Sequence, residues 1–284
     1  MIIPCGARAT ARLAARSVHG AAAPPCALGR SAEQQARLPA VGYVYLGEVP
    51  YSKALEMQRQ LCRRRIDEIH NQQRTLSDAL ILLQHPPVYT NGRRNRGKLS
   101  AAEIARLRGL GSEYVETDRG GEITFHGPGQ LVAYPSVCLK DHFLGAKCYV
   151  DGLERTVVEA CARVGVAAAA VPGFPGVWTS PSEKVAAVGT HVKRFVTSHG
   201  FALNCTTDMK WFREIVPCGL EGRTAVSLQT LVARQQGGSG AAAVGVDAMV
   251  PTVVSSFARV FGCDVRPLEA VSPATLRAIH ELLQ

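Results

Sequence analysis

Apolar positions along the chain change period several times, and each change marks an element. Val41–Leu46 (VGYVYL) is short, β-branched and aromatic, which predicts a strand. From Tyr51 to about Gln73, Leu55, Leu61, Cys62, Ile66 and Ile69 recur near one helical face, predicting a long helix. Its other face carries Arg59, Arg63, Arg64 and Arg65, a basic run that suits solvent or an acidic partner. Ala79–Leu83 (ALILL) is continuously apolar and predicts a buried strand, ended by Pro86 and Pro87. Ser100 and Glu103 form a capping box for a helix to about Leu107. Tyr114–Thr117, Ile123–Phe125 and Leu131–Leu139 predict strands set among glycine pairs. A helix is predicted from about Lys147 to Val164, stopped by Gly165. Strands follow at Val166–Val171, Gly176–Thr179, Val185–Gly189 and Phe195–Asn204, then helices at Val226–Arg234, Pro251–Phe261 and Pro273–Leu283. The low-complexity stretch 235–245 predicts a flexible insertion. Strands crowd the middle and helices the ends, so the expected fold is one α+β domain over 39–284 rather than a doubly wound sheet.

Composition narrows the class. Of 284 residues, 46% are hydrophobic and 19% charged, enough to bury one sizeable core. No run of about 18 apolar residues occurs, so no membrane-spanning helix is expected. Nine cysteines without a CxxC pair fit neither a zinc ribbon nor a thioredoxin site, and most are expected to be buried, inert thiols; no metal is expected. The net charge is +9. Part of it lies in the first 32 residues, which hold Arg8, Arg12, Arg16 and Arg30 and no acidic residue. A basic, acid-free, alanine-rich start predicts a mitochondrial transit peptide, with residues 1–38 as leader. The remaining excess suits acidic protein partners as well as nucleic acid.

Four segments carry candidate chemistry. In Arg119–Gln130 (RGGEITFHGPGQ), glycine pairs bracket a short strand and let the backbone approach a ligand, with His126 at a sharp turn. Turn chemistry alone would account for the same pattern. Lys184 opens a strand of small apolar residues, where a lysine can serve as a base or simply reach into water from a sheet edge. Ser198–Asn204 (SHGFALN) offers small residues that line an aliphatic pocket or belong to the core. In Ile215–Leu220 (IVPCGL), Pro217 and Gly219 hold Cys218 at the tip of a tight turn, which suits a nucleophile or simply a buried cysteine in a turn.

Together these segments, with Gly176–Trp178 and Leu131–Pro135, resemble the lipoyl(octanoyl) transferases of lipoate biosynthesis, in the family's order and approximate spacing over about Val41–Phe261. The resemblance implies the mixed-sheet catalytic domain shared with biotin and lipoate protein ligases. It implies transfer of an octanoyl group from octanoyl-acyl carrier protein to a lysine of a lipoyl domain, in 2-oxoacid dehydrogenase complexes or the glycine cleavage H protein. No cofactor, nucleic acid or membrane span is implied, and the expected location is the mitochondrial matrix. Position by position, it makes Cys218 the acyl-thioester nucleophile and Lys184 its partner. It makes Arg119, Gly120, Gly121, Glu122, Ile123, Thr124, Phe125, His126, Ala187, Val188, Gly189, Gly200, Phe201 and Ala202 the acyl-binding positions. Val188, Phe201 and Ala202 are expected as walls, with Ala186, Ala187 and Gly200 leaving room. The arginine-rich leader, the 235–245 insertion and the Arg93–Arg96 loop are not family signatures. Two other functions fit parts of the pattern: an ATP-dependent lipoate or biotin protein ligase, and a non-catalytic module that binds lipoyl domains. A thiol peptidase lacks a Cys–His–Asn arrangement.

Overall fold

The computed structural model describes residues 28–215, 222–236 and 244–284. In chain order the elements are α1 (Ala32–Ala36), β1 (Val41–Glu48), α2 (Tyr51–His70), β2 (Ala79–Gln84), β3 (Val88–Asn91), α3 (Ala101–Gly109), β4 (Glu113–Glu116), β5 (Thr124–His126), β6 (Gln130–Ser136) and α4 (Ala146–Arg163). There follow β7 (Ala169–Val171), β8 (Phe174–Trp178), β9 (Glu183–Lys193), β10 (Val196–Asn204), α5 (Lys210–Arg213), β11 (Thr224–Ala225), α6 (Leu228–Gln236), α7 (Val246–Phe261), β12 (Val265–Pro267), α8 (Leu268–Val271) and α9 (Pro273–Leu283).

The large sheet runs β12-β1-β2-β6-β10-β9-β8-β7, with β11 added beside β9. Its β12-β1-β2 edge is parallel, and the rest of that path is antiparallel. Both faces are covered. In β2, Leu80 and Leu82 enter the larger core beneath α4, α6 and α7, while Ala79, Ile81 and Leu83 enter a second core beneath α2 and α9. That explains why ALILL is apolar without alternation. A small sheet, β4-β3-β5, stands beside the large one and packs its own aromatic core of Tyr89, Tyr114, Phe125 and Phe212.

The expected α+β class with a mixed sheet is what the chain adopts. Three local expectations are corrected. Arg65 does not share the solvated face of α2. It is buried and pairs with Asp78, and its guanidinium also donates to the Ser136 carbonyl at 3.1 Å. Asp78 receives His142 Nε2 at 2.6 Å as well. Burial alone would raise the Asp78 carboxyl, but Arg65 and His142 outweigh it and hold it below its ordinary value. The last helix before β12 begins at Val246, not Pro251. Val246, Met249 and Val250 are needed in the core, and that gain outweighs the backbone bond lost at Pro251. The ends of the expected 235–245 insertion are structured: Gln235 and Gln236 finish α6, and Val244 is buried in the core, while 237–243 lie outside the described residues. β3, not expected at all, follows directly after the Pro86–Pro87 pair.

Residues 28–38, expected with the leader, lie against the domain. Arg30 donates to the carbonyls of His142 (2.8 Å) and Phe261 (2.6 Å), and Leu28 and Leu38 pack on the larger core. Among the described residues no helix is long and apolar enough to cross a membrane.

Candidate functional site

The hairpin β9–β10 builds the floor of a cavity. Pairing sets Gly189 opposite Gly200 and Ala187 opposite Ala202, and β6 adds Val132 beside Ala202. With a period of two these residues share one face, and all of them line a cavity of about 150 Å³. Val188 and Phe201 point the other way. Phe201 is part of the larger core and Val188 packs on it, so they border the cavity through backbone rather than as side-chain walls. Ala186, expected to leave room for a chain, is core as well.

The roof is the Arg119–Glu122 loop. It is fastened to the floor where Gly120 N–H donates to Thr190 O at 3.0 Å. Arg119 is nearly buried, and its guanidinium turns back onto the loop. It donates to the carbonyls of Thr90 (2.7 Å), Gly120 (2.9 Å) and Glu122 (2.9 Å). These bonds hold the roof in shape. Of the expected acyl-binding positions, all but Ile123 and Phe125 line the cavity. Those two face the aromatic core of the small sheet, as strand alternation with Thr124 and His126 requires.

Rings close one end. Tyr51 stacks on His126 with centroids 5.8 Å apart, and Tyr134 lies near both His85 and His199. Burial lowers His85 to about 4 and pushes His126 well below its ordinary value, so both are neutral at pH 7. Their tautomers follow from their partners. Gln130 donates its amide to Phe125 O and Asn204 Oδ1, which leaves Gln130 Oε1 to accept from His126 Nδ1–H at 2.8 Å. His85 donates Nδ1–H to Val49 O and accepts from the Tyr134 hydroxyl at Nε2. His199 donates Nε2–H to Asp118 at 3.0 Å. That bond, helped by the nearby His191, holds the Asp118 carboxyl well below the usual range. Burial lowers His199 despite Asp118.

Lys184 lines the same cavity from β9, with Nζ 4.6 Å from the Trp178 ring centroid. Gly176 makes room for it: φ is +116°, and a Cβ there would meet Ala186 O at 2.6 Å and the lysine stem at 3.3 Å. Lys184 also lines a second, smaller cavity of about 20 Å³ with Gln130, Asn204, Arg223 and Thr224. Thr124 and Ala187 line both cavities as well, so Lys184 sits where the two adjoin.

Cys218 lies outside the described residues. The chain that follows it is fixed beside Lys184. β11 pairs Ala225 with Lys184, Val226 N–H donates to Lys184 O at 3.0 Å, and the Arg223 guanidinium stacks on Phe174 at 3.8 Å. On the preceding side Ile215 packs on the aromatic core of the small sheet.

Residues 50–258 match the family model described as the lipoyl protein ligase A/B catalytic domain. The mitochondrial octanoyl-acyl-carrier-protein:protein N-octanoyltransferase of Danio rerio is 41% identical over 79% of this chain and 93% of its own length. Its counterpart in Homo sapiens is 40% identical over 80% and 96%. The octanoyltransferase of Acidobacterium capsulatum is 39% identical over 80% and 92%. The chain belongs to the lipoyl(octanoyl) transferase family. Its fold is also that of the ligases. A lipoate-protein ligase A bound with ATP superimposes with a TM-score of 0.61 at 11% identity, covering 87% of this chain and 94% of that one.

Several cavity residues of this family member were not singled out from sequence. Tyr134 was findable, because it alternates with Val132 on β6. Tyr51, at the first turn of α2, Gly173, in the β7–β8 turn, and Phe174 and Pro175, at the start of β8, arrive from distant parts of the chain, and no local pattern points to them.

Proposed function

We propose that the chain takes an octanoyl group from octanoyl-acyl carrier protein onto Cys218 and passes it to a lysine of a lipoyl domain. Octanoyl transfer for protein lipoylation is the activity of its family, and the chain is an acyltransferase. The observation that carries the finer reading is the position of Lys184. It stands where two cavities adjoin, and the strand following the Cys218 segment pairs with its own strand.

The steps balance as follows. The Cys218 thiolate attacks the thioester carbon of the donor, and the carrier thiolate leaves and takes a proton from the Lys184 ammonium. The acceptor amine then attacks the Cys218 thioester, and the neutral Lys184 amine removes its proton. The thiolate of Cys218 is released and an amide has formed. An amide is more stable than a thioester, so no nucleotide is consumed. The small-residue floor supports an eight-carbon chain, since each buried methylene contributes about 0.8 kcal/mol.

Transfer assayed with octanoyl carrier and a lipoyl domain, in buffer free of nucleotide, is expected to go to completion. Strict dependence on ATP would place the chain with the ligases that share its fold. Residues 1–38 are proposed to direct import into the mitochondrial matrix, in keeping with the mitochondrial relatives. A fluorescent fusion of that segment that stays in the cytosol would refute this.

A further inference from the structure

The loop that follows β3 has no part in the chemistry above, yet it is built into the cavity roof. Gly92 N–H donates to Glu122 O at 3.2 Å, Arg93 N–H to Arg119 O at 3.0 Å and Arg94 N–H to Gly121 O at 3.1 Å. Gly92 lies so close to the Gly121 carbonyl that any Cβ there would collide with it. The turn is closed by Asn95 N–H to Gly92 O, and the Asn91 side chain ties down the Asn95 carbonyl at 2.8 Å. The backbone of Arg94 is therefore fixed, while its side chain is exposed and borders the cavity.

The charge at this rim is unanswered. Arg96, two residues on, reaches Glu116 at 3.8 Å, but Arg94 enters no ion pair among the described residues. Glu122 is the one carboxylate among the described residues lining the cavity, and it forms no ion pair with Arg94. The rest of the lining includes Phe174 and Pro175 and the alanine and glycine floor. A guanidinium held by its backbone at the border of an apolar slot suits a ligand with an aliphatic end and an anionic part further out. Its planar fork matches phosphate oxygens in pairs.

We propose that Arg94 binds a phosphate group on the arm that carries the donor's acyl chain. The inference rests on the transferase reading above. A carrier protein presents its acyl group on a thiol-ended arm joined to the protein through a phosphodiester, so the donor has the aliphatic end and the anion in that order. The lysine of the acceptor brings no phosphate.

Two small donors that differ only in the phosphate test this: octanoyl-phosphopantetheine and octanoyl-pantetheine, each with a saturating lipoyl domain as acceptor. Wild type is expected to prefer the phosphorylated donor by about tenfold in KM, the size of one charge-assisted contact at a wet rim. Arg94→Ala is expected to lose that preference, Arg94→Lys to keep part of it, and octanoyl carrier protein to follow the phosphorylated donor. The proposal fails if wild type treats the two donors alike. It fails equally if Arg94→Ala weakens both to the same degree, or if only the KM for the lipoyl domain rises, which would turn the arginine toward the acceptor. If wild type accepts neither small donor nor the octanoyl carrier, the transferase reading itself fails, a result distinct from those three.

Discussion

Cys218→Ala is expected to lower octanoyl transfer by at least about a thousandfold and to leave no octanoyl mass on the protein after incubation with the donor. The effect is large because no other described free cysteine can substitute. Cys62, Cys138, Cys161, Cys205 and Cys263 are all buried. Burial pushes Cys161, Cys205 and Cys263 up to about 12, so at neutral pH almost none of each is thiolate. Burial also raises Cys62 and Cys138. Intact-mass spectrometry reads the adduct directly. An undiminished adduct in the alanine variant would remove Cys218 from the mechanism, and Cys218→Ser should be examined beside it for a slower oxygen ester.

Lys184→Ala is expected to cost about 10² to 10⁴ in rate near pH 7, the range of a positioned proton-transfer group. The sign of its pH dependence follows from the thiol. Without a neighbouring ammonium, the thiolate fraction depends on bulk pH and rises toward the ordinary cysteine value near 8.5. The variant should therefore climb about tenfold per pH unit below that point and recover part of the loss above it. Lys184→Arg separates the two roles. Arginine keeps the positive charge and cannot give up its proton, so the Cys218 thiolate should still form and attack, with the departing carrier thiolate taking its proton from water instead, while transfer to the acceptor amine is lost. A pH–rate profile of Lys184→Ala with the wild-type shape would refute the pairing.

The chain announces its fold more openly than its cavity. Strands such as ALILL and the helix from Tyr51 show because burial on two faces or one leaves a periodic record. Arg65 was misplaced because a buried ion pair looks, in one dimension, like part of a basic run, and its partner Asp78 sits after the next turn. The Pro86–Pro87 pair suggested an end, and the four-residue β3 that follows is held mainly by β4 and β5, which come later in the chain. Of the four motifs, three meet at one cavity and the Cys218 motif lies outside the described residues; the register of β9 on β10 explains why two of them belong together. The direction of each side chain was less visible. Gly200 and Ala202 face the cavity and Phe201 faces the core, a distinction that depends on which side of the sheet each helix covers. Arg119 lines the cavity as expected, and its hydrogen bonds to the Thr90 and Glu122 carbonyls, which brace the loop above it, depend on folds of the chain that no local pattern records.

The pairing of Gly189 with Gly200 and of Ala187 with Ala202 constrains how this enzyme can be redesigned or can diverge. Adding or removing one residue would exchange the faces of the altered strand, placing Val188 of β9 or Phe201 of β10 in the cavity and that strand's glycine in the core. Such a change would fill the acyl slot and hollow the interior together, so substrate range and folding cannot be altered independently there by changes of length. New acyl specificities must come from exchanging residues on the floor, one position at a time, with the strand count of every residue kept.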